Sequence, residues 1–382
     1  MEIRQYSLRA RRISISLCFF FFGFIFASWA SRIPAIQQQL HLSEAGLGAV
    51  LLSMPVGSFL ALPFSGYLSS KFGSRKVTII SSFIYSCLLV AIGFSQNAFQ
   101  LTTCLFLFGA AGNIVNIAIN TQALALEALY KKTIISSFHG MWSIAGLAAA
   151  SLGTYFIAKA FPVPYHFLLI AAISLLSFLL CSPYLLHENI KVYEKQPLFT
   201  KPDKALWGLG IIAFCSLICQ GAMFDWSGVY FKKVVMSRSE FIGFGYTAFM
   251  ISMTTVRFIT DWINHHIGFK KIMILCGIST TAGLLIAALF PFVWPAIIGM
   301  FLVGIGVSPA IPLVFSAAGK FKILSPPVAI AAVSSIGMIG LLIGPPLIGF
   351  IAGLTSLRIS FLILSFFGVA ISIAALVVKR HN

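Results

Sequence analysis

Leu186-His187-Glu188-Asn189-Ile190-Lys191-Val192-Tyr193-Glu194-Lys195-Gln196-Pro197-Leu198-Phe199-Thr200-Lys201-Pro202-Asp203-Lys204 is the longest polar interruption in a chain of 382 residues, 59% of them hydrophobic and 9% charged. It is charged, carries two prolines and falls near the midpoint, as a linker between halves should. The reading is two apolar halves, 1–185 and 205–382, joined by a linker over 186–204.

Outward from that linker the chain is a series of apolar stretches. An ordinary soluble domain is about a quarter charged, so a water-soluble globule is excluded. A helix needs about 20 apolar residues to cross a ~30 Å hydrocarbon core. Crossings are expected at 14–35, 44–69, 76–95, 99–126, 133–160, 164–184, 205–231, 240–263, 271–290, 294–318, 327–352 and 356–378. The fold expected is therefore all-α, twelve transmembrane helices in two six-helix halves.

The net charge of +17 would suggest nucleic acid in a soluble protein, but here its distribution speaks for a membrane. With the N-terminus inside, 19 of the 26 basic residues collect on the cytoplasmic side, among them Arg12, Lys71, Lys76 and Lys271. By the positive-inside rule both termini are cytoplasmic. Ser28-Trp29-Ala30 loosely imitates a signal-peptide cleavage site, yet cleavage would leave eleven crossings and break the symmetry described next.

The halves repeat. Leu105-Phe106-Leu107-Phe108-Gly109 meets Met300-Phe301-Leu302-Val303-Gly304, and Gly73 meets Gly268, both at an offset of 195 residues. Ser43-Glu44 meets Ser239-Glu240 at 196, each a helix start where a hydroxyl caps free amides and an acid faces the positive dipole end. Trp29 meets Trp226 at 197. Parallel halves of this kind are a standard transporter construction, with the solute site near mid-depth.

After the second crossing stands Gly66-Tyr67-Leu68-Ser69-Ser70-Lys71-Phe72-Gly73-Ser74-Arg75-Lys76, which resembles the signature loop of the major facilitator superfamily. Gly66, Gly73, Arg75 and Lys76 match; Ser70 replaces an Asp, which removes the acid of an inter-helix charge relay. Arg257 and Asp261, four apart on one helix, could supply part of it. Ala27-Ser28-Trp29-Ala30-Ser31-Arg32-Ile33-Pro34-Ala35-Ile36, Asn116-Ile117-Ala118-Ile119-Asn120, His139-Gly140, Asp225-Trp226 and Gly344-Pro345-Pro346-Leu347-Ile348-Gly349 resemble the fucose-permease branch and an uncharacterised bacterial inner-membrane subgroup near it. The resemblance runs from about 13 to 378 and implies a sugar/proton symporter. Where relatives carry acids, this chain has the amides Asn116 and Gln220, which can bond a hydroxyl but cannot carry a proton.

Polar groups are costly in hydrocarbon, so each is a functional candidate. Asn113, Asn116 and Asn120 share one helical stripe and read either as cavity lining or as helix-to-helix glue. His139 could relay protons or bond a carbonyl. Arg32 and Asp225 lie at similar depth on the first and seventh crossings, which the resemblance places face to face; they read as an outer gate, or as residues bonded locally. Trp29, Trp142 and Trp226 could stack on a solute, whereas Glu127 reads as a partner of Lys131. The Gly- and Pro-rich tenth and eleventh crossings supply close packing and kinks.

The function expected is a secondary transporter moving a small polar, sugar-like solute by alternating access, with protons as candidate coupling ions. Its site would lie among crossings 1, 4, 5, 7, 10 and 11. Rivals are a non-transporting sensor on the same scaffold, an exporter of an amphipathic compound, a channel and a membrane enzyme. The chain shows no phosphate-binding loop, no cofactor motif and no metal set. Expected partners are the solute, membrane lipid and protons, with no nucleic acid, for a monomeric protein.

Overall fold

Twelve candidate membrane spans occur among the described residues, and each is helical because hydrocarbon offers the backbone no partners but its own. The structure is a computed structural model describing residues 6–130, 134–186, 206–319 and 326–378. Side chains at 136, 261, 319, 326–328, 330 and 331 are outside the described set. The helices are α1 (Leu8–Gln39), α2 (Glu44–Phe72), α3 (Ser74–Gly93), α4 (Ala98–Tyr130), α5 (Ile135–Ala158), α6 (Val163–Cys181), α7 (Trp207–Lys233), α8 (Phe244–Ile267), α9 (Phe269–Leu289), α10 (Val293–Val307), α11 (Ala310–Gly319), α12 (Pro326–Leu354) and α13 (Leu357–Val377).

The tenth crossing, Val293–Ala318, is made of two helices, α10 and α11, that meet in a kink at Ser308-Pro309. Pro309 and Pro312 lack the N–H groups that would continue the ladder, and the buried Ser308 hydroxyl donates to Met253 O at 2.8 Å. One expectation needs correction: the Ser239-Glu240 pair does not start α8. Ser239–Phe241 is a single 3₁₀ turn and α8 begins at Phe244. Its mate behaves as expected, with Ser43 Oγ accepting from Gly46 N at 3.1 Å.

Packing divides the chain into two compact units, and the division does not fall only in the linker, most of which lies outside the described residues. One unit comprises 1–30, 53–152 and 160–194; the other comprises 31–52, 153–159 and 195–382. In the first, α3 packs on α4 and α6; in the second, α9 packs on α10 and α13 and α7 on α12. Leu209, Ile212 and Ala213 of α7 join Met273 of α9 and Ala375 of α13 in a core of fully or almost fully buried side chains.

The repeat is written in the backbone. Gly73 (φ 85°) and Gly268 (φ 78°) are the two described glycines with positive φ. Each is the single residue between two helices, a conformation a side chain would strain. His41 (φ 50°) and Met236 (φ 50°), again 195 residues apart, both turn in the left-handed region. Just after the glycine turns, Arg75 Nε donates to Ser182 O at 2.9 Å and Lys270 Nζ donates to Leu376 O at 3.0 Å. Gly109 meets the Met54 carbonyl and Gly304 the Phe249 carbonyl, so both pairs of helices touch backbone to backbone.

Candidate functional site

In the first unit the asparagine stripe of α4 divides by partner. Asn113 Oδ1 accepts from Ser65 Oγ at 2.7 Å and Asn113 Nδ2 donates to Ser58 Oγ at 3.3 Å, fixing α4 to α2. Asn120 Nδ2 donates to Asn116 O at 2.8 Å and to Asn116 Oδ1 at 2.9 Å. An asparagine amide has two donor hydrogens and one acceptor oxygen. The Asn116–Asn120 pair therefore keeps the Asn116 amide N–H groups and the Asn120 carbonyl oxygen in hand. All three side chains are half-buried.

The other residues of this unit sort by packing. Trp29 is 1% exposed and its Nε1 has no hydrogen-bond partner among the described residues. Trp142 is half-buried, lies against Gly23 and sits 6.2 Å from the Phe26 ring. His139 is exposed, and its ring centre lies 5.3 Å from that of Phe19 in an edge-to-face arrangement. In the signature loop, Ser70 Oγ donates to Tyr67 O at 2.9 Å, so it closes on its own helix. Gly66 and Lys76 are exposed, and a side chain at Gly66 would meet open space.

In the second unit, α7 carries the largest set of buried polar side chains: Ser216, Gln220, Asp225 and Ser227 are all less than a tenth exposed. Trp226 is fully buried, and the Trp226 Nε1, Ser227 Oγ and Tyr246 Oη atoms have no hydrogen-bond partner among the described residues. Asp225 lies within electrostatic reach of the Tyr246 hydroxyl. Arg32 is buried at 3% exposure. The described ion pairs are Lys233–Glu44 at 2.6 Å and Arg238–Glu240 at 3.6 Å, and neither joins Arg32 to Asp225. Arg257 is half-buried, and the side chain of its expected partner Asp261 lies outside the described residues.

A clasp that the sequence reading missed stands where α1 ends, α2 begins and α7 ends. Lys233 Nζ donates to Glu44 Oε1 at 2.6 Å, and Lys232 Nζ donates to Pro34 O at 3.3 Å and to Gln38 Oε1. Thr154 and Thr247 share a hydroxyl bond of 2.9 Å in the same unit. Small residues allow the approach: a Cβ at Gly48 would lie 2.9 Å from Pro345 O, and one at Gly228 would lie 2.6 Å from Pro34 Cγ. Twin lysines at a helix end were the available signal, but their partners are almost 200 residues away.

Two further polar groups are structural. Gln122, fully buried, donates to Ser74 Oγ at 2.7 Å and Leu186 O at 2.9 Å and accepts from Leu186 N at 2.7 Å. Glu127 accepts from Ile134 N at 2.7 Å and Ile135 N at 3.1 Å, capping α5. A carboxylate facing a helix N-terminus satisfies orphan amides and the positive dipole end. Lys131, its expected partner, lies outside the described residues.

The family profile described as Major Facilitator Superfamily matches residues 15–322. The chain is 31% identical to an uncharacterised MFS-type transporter of Yersinia pestis, covering 92% of this chain and 91% of that one. It is 29% identical to the membrane protein MosC of Rhizobium meliloti, covering 97% and 90%. Among solved structures it is similar to the nucleoside transporter NupG, with a TM-score of 0.76 at 16% identity over 97% of this chain and 100% of that one.

Proposed function

The chain belongs to the Major Facilitator Superfamily and is a multi-pass transporter of a solute rather than an enzyme, and from that premise we propose that its solute is small, polar and hydroxyl-bearing, of the sugar or nucleoside kind. The observation that carries this reading is the Asn116–Asn120 pair, which keeps one amide donor group and one carbonyl acceptor for a ligand. A hydroxyl is both donor and acceptor and matches that pair. The fold neighbour NupG transports nucleosides, which carry a sugar, and so supports the same class. In the same unit as that pair, the buried indole of Trp29, whose N–H group has no described partner, suits the apolar face and edge oxygens of such a ring.

Transport proceeds by alternating access, and the Lys232–Lys233 clasp serves as an outer gate. The orientation follows from the positive-inside rule, which puts the Arg75 end in the cytoplasm of a bacterial cell and the Lys233 end outside. Proton coupling rests on Asp225, since a buried carboxylate with neither ion pair nor hydrogen bond among the described residues is costly in hydrocarbon. His139, being exposed, has no such constraint.

The test is a thermal-shift screen of the purified protein with sugars and nucleosides, followed by Kd measurements on variants. Asn116→Leu and Asn120→Leu should each weaken the best ligand about ten- to a hundredfold, the loss of roughly 1–3 kcal/mol for buried groups left unpaired. Asn113→Leu should lower thermal stability and leave Kd within about threefold, because its bonds go to α2. No stabilisation by either ligand class, or unchanged affinity in both Asn116→Leu and Asn120→Leu, would overturn the proposal.

A further inference from the structure

The end of α8 carries an exposed stripe that the transport reading does not use. Phe258 and Trp262 are 61% and 66% exposed, and His265, His266, Lys270 and Lys271 follow them, all exposed. Spacings of four, then three or four, put Phe258, Trp262 and the histidines on one helical face. At a 1.5 Å rise, residues 258 to 266 span about 12 Å along the axis. Apolar ring, indole, imidazole and ammonium follow one another in the order in which a bilayer changes from hydrocarbon to headgroup.

The side chains are already grouped. The Trp262 and His266 rings lie 4.5 Å apart, those of His265 and His266 lie 5.4 Å apart, and His266 Nδ1 is 2.8 Å from Trp262 O. Lys270 is held by Leu376 O, while Lys271 makes no ion pair or hydrogen bond among the described residues. The nearby charged groups on α8 are Arg257, half-buried, and Asp261, whose side chain lies outside the described residues.

The repeat mate at the end of α2 is an internal contrast. Tyr67 and Lys71 stand 195 residues before Trp262 and His266. There the cation is occupied, because Lys71 Nζ donates to Tyr67 Oη at 2.8 Å and lies 5.2 Å and 5.4 Å from the Tyr67 and Phe72 ring centres. At the end of α8 the exposed indole lies against the His266 ring, and the exposed Lys271 that follows at the start of α9 has no such phenol to hold it among the described residues.

We propose that Trp262, His265, His266 and Lys271 dock the headgroup phosphate of an anionic membrane lipid. The indole anchors at the interface while the ammonium and imidazoles meet the phosphate oxygens. Neutral lipid carries no net charge to complement them, so anionic headgroups are selected. This does not depend on the identity of the solute.

The test places the full-length protein in nanodiscs of phosphatidylcholine containing a minority of phosphatidylglycerol and counts retained phosphatidylglycerol by native mass spectrometry. Lys271→Ala should reduce retention about fivefold, the effect of one cation at a membrane surface. Trp262→Ala should reduce it as well, and Lys159→Ala, at an exposed lysine elsewhere in the chain, should not. All three positions are exposed, so the fold is retained, which circular dichroism checks. Undiminished retention in the Lys271→Ala/Trp262→Ala double variant, or equal loss in Lys159→Ala, would overturn the proposal.

Discussion

The two compact units use one packing device and two different polar chemistries. Gly109 against the Met54 carbonyl and Gly304 against the Phe249 carbonyl are the same contact 195 residues apart. The Arg75 and Lys270 bonds to the chain ends of α6 and α13 are the same tie. The membrane-embedded amides of α4, by contrast, bond one another and the serines of α2, while α7 buries Asp225, and the Trp226 Nε1 and Ser227 Oγ atoms beside it have no hydrogen-bond partner among the described residues. Backbone approach constrains a scaffold at fixed positions, so it survives duplication. Polar side chains answer to a solute or an ion, so they diverge.

The sharpest way to break that comparison is at the glycines. Gly109→Ala and Gly304→Ala place a methyl against a backbone carbonyl that cannot move as a side chain can, and each should cost about 3 kcal/mol or more. The expected readout is a loss of monodisperse protein or a large fall in melting temperature for both. Tolerance of one and not the other would show that the shared contact is not a shared constraint.

A smaller effect is expected at the paired ties. Removing the donor in Arg75→Ala leaves the Ser182 carbonyl without it and should cost about 1–2 kcal/mol; Lys270→Ala at an exposed site should cost less than half of that. Parallel melting curves in one detergent would check the ranking. Equal losses would mean that burial does not separate the two.

The smallest effect belongs to the clasp. Lys233 and Glu44 are 38% and 26% exposed, so solvent screening limits their coupling to about 0.5 kcal/mol in a double-mutant cycle. That still changes an open-to-closed ratio about twofold, and a cysteine placed near residue 38 should label faster in Lys233→Ala. Faster labelling in Asp225→Ala but not in Lys233→Ala would return the gate to Arg32 and Asp225.

Much of this was legible before any coordinates. The glycine turn at 73 and 268 was readable as a repeat landmark because a tight helix-to-helix turn leaves a local signature. A kink in the tenth crossing was legible in its prolines, and the structure sets it at Ser308-Pro309. The amides of α5 that Glu127 accepts from were not legible, since a sequence shows spacing within a helix and not the next helix's start.

The sequence by itself determined the number of candidate crossings. It follows from a local requirement, that every backbone group in hydrocarbon be bonded within its own run of about 20 apolar residues. Tertiary structure alone decided which polar residue serves which purpose. Asn113, Asn116 and Asn120 share one stripe, yet only the serines of α2 separate the amide that ties α4 to α2 from the pair that bonds within α4. Glu44 and Lys233, 189 residues apart, form a clasp because α2 begins where α7 ends. Periodicity names the face a side chain occupies; its partner depends on which helix the fold lays against that face.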